Sequence, residues 1–148
     1  MTQPQISEDV KQDMESLLNV LVPFAQSMLK EKGKFFPFGA SMQINGKISL
    51  DGAYDNNLSQ SQKLIDVLKK SYQTRNQEGD LKAGGICFDC KVYDPRETPQ
   101  KKKDAIAVSF EHNKGIALIY YLPYDKGLFG KVKYGVAFAT PTQTTIFV

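Results

Sequence analysis

Residues 81–92, LKAGGICFDCKV, decide the fold. Ile86, Phe88, Cys90 and Val92 recur at every second position, the period of a pleated strand whose neighbouring side chains diverge to opposite faces. The same period returns in Ile106, Val108 and Phe110, after a polar connection from Asp94 to Lys103 that holds Pro95 and Pro99. His112-Asn113-Lys114-Gly115 reads as a turn. Ile116, Leu118, Tyr120 and Leu122 then share a face, with Ala117, Ile119 and Tyr121 behind them. Apolar residues on both sides predict a central strand covered on both faces. Val132, Tyr134, Val136 and Phe138 form another alternating set, and Thr144 to Val148 predicts a short terminal strand.

Upstream the period is helical. Val10, Met14, Leu17, Leu18, Leu21, Ala25, Met28 and Leu29 recur at steps of three and four. Ser7 suits the N-cap, Glu8 and Asp9 the first turn, and Gly33 a left-handed C-cap. Pro23 inside this run predicts a kink or a restart. Residues 1–6 read as a loose tail. Asn45-Gly46 predicts a hairpin. A two-residue turn there would mix apolar and polar side chains on each face. One extra residue puts Met42 and Ile44 on the face of Ile48 and Leu50, so an irregular turn is expected. Residues 51–56 read as a loop. A second helix follows, with Ser59 and Gln62 as a capping box and Leu58, Leu64, Ile65, Leu68 and Tyr72 as its buried stripe.

Helix, hairpin, helix and meander together predict an α+β fold of one domain, residues 1–148. Two helices are expected on one face of a mostly antiparallel sheet of about five to seven strands. A roadblock or profilin-like layout is one template, and a cystatin-like curved sheet is the other.

The 148 residues carry 19 Lys+Arg and 16 Asp+Glu, a net charge of +3, with 41% apolar residues. That composition excludes wholesale disorder, and no apolar run is long enough to span a bilayer. The polar N-terminus lacks a basic n-region, so no signal peptide is expected and the cytoplasm is the expected location. The first 60 residues are net −2 and the rest net +5. The one dense basic run, Lys101-Lys102-Lys103, reads as a solvated loop, so no nucleic-acid partner and no membrane partner is expected.

Lys34-Phe35-Phe36-Pro37-Phe38-Gly39-Ala40 follows a helix ending in Gly33, and a Gly46-Lys47 turn comes next. Asp104-Ala105-Ile106, Glu111-His112 and Tyr121-Leu122-Pro123-Tyr124 follow later. Across residues 17–138 this resembles a group of small, uncharacterised bacterial proteins with an aromatic-Pro-Phe-Gly segment after the first helix. The resemblance implies a bacterial cytoplasmic origin and brings no catalytic residues.

The chain holds a C-x-x-C, Cys87 to Cys90, and one histidine, His112. On a strand the two thiols point to opposite faces, which disfavours a shared metal or a bridge. His112 is expected as an exposed turn histidine, and Glu111 beside it faces away. No phosphate loop, nucleophile elbow or dinucleotide motif is present. No catalytic residue, cofactor or metal is assigned. Phe35, Phe36 and Phe38 are expected to fill the core. Leu128 and Phe129 lie between Gly127 and Gly130, near Tyr124, and these three are the candidate partner contacts. The expected function is a non-enzymatic protein-interaction module whose partner is another protein or a second copy, met through an edge strand or this loop. A small-ligand binder or enzyme with Tyr72, Tyr120, Tyr121 and Tyr134 lining a pocket is the first alternative. An immunity-type inhibitor of a partner toxin is the second.

Overall fold

The computed structural model describes residues 6–52, 61–99 and 101–148. Helix α1 runs from Glu8 to Lys32, strand β1 from Phe38 to Gln43 and β2 from Ile48 to Gly52. Helix α2 spans Ser61–Gln77. The strands β3 (Leu81–Tyr93), β4 (Lys102–His112), β5 (Ile116–Lys126), β6 (Val132–Tyr134) and β7 (Phe138–Pro141) follow. All pairings are antiparallel, in the order β2-β1-β3-β4-β5-β6, with β7 also on β5. This is the α+β fold expected from the switch between helical and strand periods.

The helices lie on opposite faces of the sheet, not together on one. Adjacent residues Gly84 and Gly85 show this directly. A Cβ at Gly84 would meet the Tyr72 ring of α2, whereas one at Gly85 would meet Leu21 of α1. Because strand neighbours diverge, the two helices must sit on different sides. Leu17, Leu21, Ala25 and Leu29 of α1 pack with Phe38, Ala40, Met42, Cys87, Val108 and Phe110. Leu68 and Tyr72 of α2 pack with Leu81, Ile86 and Ile146. Burying each such large apolar side chain contributes roughly 1.5–3 kcal/mol. Gly39 and Gly84 leave the room that the Tyr72 ring occupies, since a Cβ at Gly39 would collide with its hydroxyl.

Ser7 caps α1 by accepting from Val10 N–H, and Gly33 closes it at φ +72°. Pro23 does not divide the helix, which runs unbroken through it. Pro23 is on the solvent-exposed side of α1, where water can meet the carbonyl its missing N–H leaves free. The β1–β2 hairpin has the extra residue. Met42 pairs with Ile48 and Ala40 with Leu50, and Gln43 N–H donates to Lys47 O around Ile44-Asn45-Gly46. The stripe of α2 is buried at Leu64, Leu68 and Tyr72. Leu58, Ser59, the 53–56 part of the predicted loop and residues 1–5 lie outside the described residues. Ile6 packs against the core, so the predicted tail is attached at least there.

Two further expectations are corrected. Lys102 and Lys103 lie within β4, paired with Tyr93 and Val92, and not in a loop. The predicted strand from Thr144 to Val148 is irregular chain laid over the α2 face. Glu111 explains its placement. This buried carboxylate accepts from the backbone N–H groups of Thr145 (2.8 Å) and Ile146 (2.9 Å) and from Thr145 Oγ1 (2.8 Å). Gln73 and Asn76 of α2 donate to the carbonyls of Thr145 and Ile146. Side chains thus meet the polar groups that a strand partner would otherwise satisfy.

Strands β6 and β7 are one edge strand interrupted by a bulge. Tyr134 pairs with Tyr124, but Phe138 pairs with Tyr121, so four residues on one side span three on the other. The extra residue reverses the alternation. Tyr134 therefore faces the α1 side and Phe138 the α2 side, although their spacing predicted a common face. Arg96, held by Asp94, donates to Val136 O (2.6 Å) and Ala137 O (3.4 Å) at this interruption.

Candidate functional site

The sequence offered cysteines, a histidine, tyrosines and an apolar loop as candidate sites, and the structure separates them. Cys87 is buried on the α1 side, paired with Val108, while Cys90 lies on the other side. Burial pushes both thiols up, Cys90 to about 11 and Cys87 further, so neither supplies thiolate at neutral pH. Among the described residues no group of three His, Cys, Asp or Glu side chains is placed to hold a metal ion.

His112 is not exposed, as the turn pattern suggested, but fully buried. The N-terminal half of α1 covers the end of β4 and brings Asp13 to it, a partner 99 residues away in sequence. Lys114 N–H donates to Nδ1 (3.1 Å), so the ring proton sits on Nε2 and donates to Asp13 Oδ2 (2.8 Å). Lys82 also pairs with Asp13, at 3.1 Å. Burial raises the Asp13 pKa, but the hydrogen bonds from His112 and Lys82 outweigh it and hold the carboxyl below its ordinary value. A histidine oriented by aspartate is the skeleton of a general base, but both of its nitrogens are engaged. Glu111 faces the opposite side and is occupied by the 145–147 segment.

The four tyrosines do not share a pocket. Tyr72 is buried beneath α2 and donates to Asp51 Oδ2 at 2.7 Å. Burial and that carboxylate push its hydroxyl far above the ordinary range. Tyr120 pairs with Val108 on the α1 side and Tyr121 with Ala107 on the other, where it stacks on Phe138. Tyr134 borders a separate cleft. Strand alternation alone puts Tyr120 and Tyr121 on different faces. Ser41 and Arg75 complete the network around Asp51, with Arg75 donating to Ser41 Oγ and Ser41 to Asp51, each at 2.7 Å. Ser41 is buried and its oxygen is engaged at both ends.

Tyr124 is not a surface contact either. It is buried at the end of the α1 face and donates to Asp89 Oδ1 at 2.8 Å. Phe35 and Phe38 fill the core as expected, whereas Phe36 is exposed beneath Lys34.

Leu128 and Phe129 remain. They form the turn between β5 and β6, with Leu128 84% and Phe129 99% exposed. Phe129 has φ 62° and ψ 30°, and Gly130 has φ 73°. Positive φ at both central residues is the pattern of a type I′ turn, whose first central residue is usually Asn, Asp or Gly. Phe129 is the one non-glycine residue with positive φ among the described residues. The turn is closed by backbone bonds alone, Gly127 N–H to Lys131 O at 2.6 Å and Lys131 N–H to Leu128 O at 3.5 Å. Beside it opens a cleft of about 830 Å³ between the outer side of α1, at Pro23 to Lys30, and β6, at Val132 and Tyr134, with Phe129 at its margin.

Sequence reasoning found Leu128 and Phe129 through their glycine neighbours. It missed Asp13 and Asp51, and the anchoring of the 145–147 segment by Glu111, because their partners are remote in sequence. Among the described residues, no helix is long and apolar enough to cross a membrane. No protein-family model, no curated protein and no solved structure matches this chain.

Proposed function

We propose that this chain is a non-enzymatic protein-interaction module and that Phe129 is its principal contact. The supporting observation is the backbone at Phe129. A left-handed conformation costs a non-glycine residue about 1 kcal/mol, and leaving a whole phenyl ring in water forgoes roughly 2 kcal/mol of burial. Among the described residues the ring joins no core cluster, so neither cost is returned there. Strain without internal compensation is characteristic of binding elements. Aromatic side chains are among the residues that dominate protein interfaces. Leu128 beside it widens the apolar tip. Inhibition of a partner toxin is one form that such a module takes.

The test is thermodynamic and needs no partner in hand. Phe129→Asn should raise the unfolding free energy by about 0.5–1 kcal/mol in urea titrations, because Asn tolerates this conformation. A loss of stability would mean that the ring serves the fold, and the proposal would fail.

A further inference from the structure

Resting on that reading of Phe129, we infer that its receptor is a second copy of this chain. Each copy inserts its Phe129 ring into a cavity at the opposite end of the other's β6–β7 edge. Among the described residues that cavity measures about 200 Å³, and its walls include Ile6, Ile116, Leu118, Ala139 and Pro141. Apolar cavities of about 150 Å³ hold a benzene ring. Ring and cavity stand on one face of the sheet. Leu118 belongs to the α1-side core and Pro141 pairs with it, which puts the cavity on the α1 face. Phe129 borders the cleft between α1 and β6, on that face too.

The two features lie at opposite ends of β5. The cavity is at its start and the ring is just past Lys126, about 30 Å away at roughly 3.3 Å per residue. A copy therefore cannot fill its own cavity. Two copies laid antiparallel along this edge, related by a two-fold axis, bring each ring to the other's cavity at once. Helix α1 favours the same arrangement. Its first turn, just after Ile6, carries Glu8 and Asp9, and its last turn, beside Phe129, carries Lys30 and Lys32. Glu8, Lys30 and Lys32 form no ion pair within 4.0 Å among the described residues. Antiparallel copies set the acidic end of one helix towards the basic end of the other, whereas parallel copies would oppose like charges. At the midpoint of the edge Arg96 occupies the carbonyls of Val136 and Ala137, so the copies meet through the two insertions and not through a continuous sheet. Two rings burying about 150–250 Å² each make a small interface, so the dimer is reversible and forms with rising concentration.

The experiment is analytical sedimentation of the purified chain up to about 1 mM, for wild type, Phe129→Asp and Ala139→Trp, the last of which fills the cavity. The expected result is a concentration-dependent dimer whose dissociation constant rises on the order of tenfold or more in either variant. Both substituted residues are exposed, so circular dichroism should match wild type. Under mild oxidation Phe129→Cys/Ala139→Cys should yield a covalent dimer that grows no further. Wild type is the control, since burial keeps its own two thiols protonated. A ladder of larger species would overturn the two-fold arrangement. A dimer that neither Phe129→Asp nor Ala139→Trp weakens would overturn the inference, and so would a chain that stays monomeric throughout. In that last case unfolding of Phe129→Asn in dilute solution separates the two readings. A gain in stability leaves the interaction module standing without this partner, and a loss removes both.

Discussion

Strand β5 ends in two hairpin turns that do the same topological work with opposite chemistry. At its start, the His112 ring accepts from Lys114 N–H, Gly115 N–H donates to His112 O, and Asp13 ties the ring to α1. Gly115 there takes φ +84°, a conformation that glycine adopts without strain. At the far end of β5 the strained position is given to Phe129, and among the described residues no side chain hydrogen-bonds to the turn. Folding accounts for the residues of the first turn. In the second, folding accounts for the glycines and leaves the phenylalanine over, which is why we assign it to an interaction.

Three perturbations sharpen this contrast. The largest effect is expected at the supported turn. His112→Ala removes a fully buried ring, leaves Lys114 N–H without its acceptor and leaves Asp13 with Lys82 alone, at a cost of about 3 kcal/mol in urea unfolding. A cost below about 1 kcal/mol would show that the two turns are equally autonomous.

Acid gives the next effect. Asp13 has a depressed pKa in the folded state, so its contribution is complete above the ordinary carboxylate pKa and disappears as pH falls through the folded value. Wild-type stability should therefore decline with acidification by about 1.5 kcal/mol more than that of Asp13→Asn. Parallel stability curves for the two proteins would contradict the pairing.

The smallest effect is expected at the unsupported turn, where the sign reverses. Asn and Asp both tolerate positive φ, so Phe129→Asn and Phe129→Asp should each stabilise by a fraction of the His112→Ala loss. A comparable loss of stability at both turns would erase the distinction.

Much of this architecture was legible in the residues. The alternation from Ile86 to Val92 and from Ile116 to Leu122 located the central strands, and Ser7 and Gly33 bounded α1. The two-sided apolarity of β5 signalled a sheet covered on both faces, yet the helices were still expected on one side. The evidence against that lay in Gly84 and Gly85, whose neighbours on α2 and α1 are distant in sequence. His112 was misplaced for the same reason, because Asp13 carries no local mark of its role. The bulge at residues 135–137 was hidden because Val132, Tyr134, Val136 and Phe138 alternate without a break. The Phe129 turn was visible as an apolar pair between glycines. What the sequence does not encode locally is the sign of φ, and that turns an ordinary exposed ring into a strained one.

The clamp of Arg96 on Val136 O and Ala137 O also matters for how copies of this chain meet at high concentration. An uninterrupted border from residue 132 to 141 would be a template for ribbon-like stacking into fibrils. The bulge breaks the spacing of that template, and the guanidinium takes up two of its acceptors. Uncontrolled polymer growth along this border is thus opposed midway.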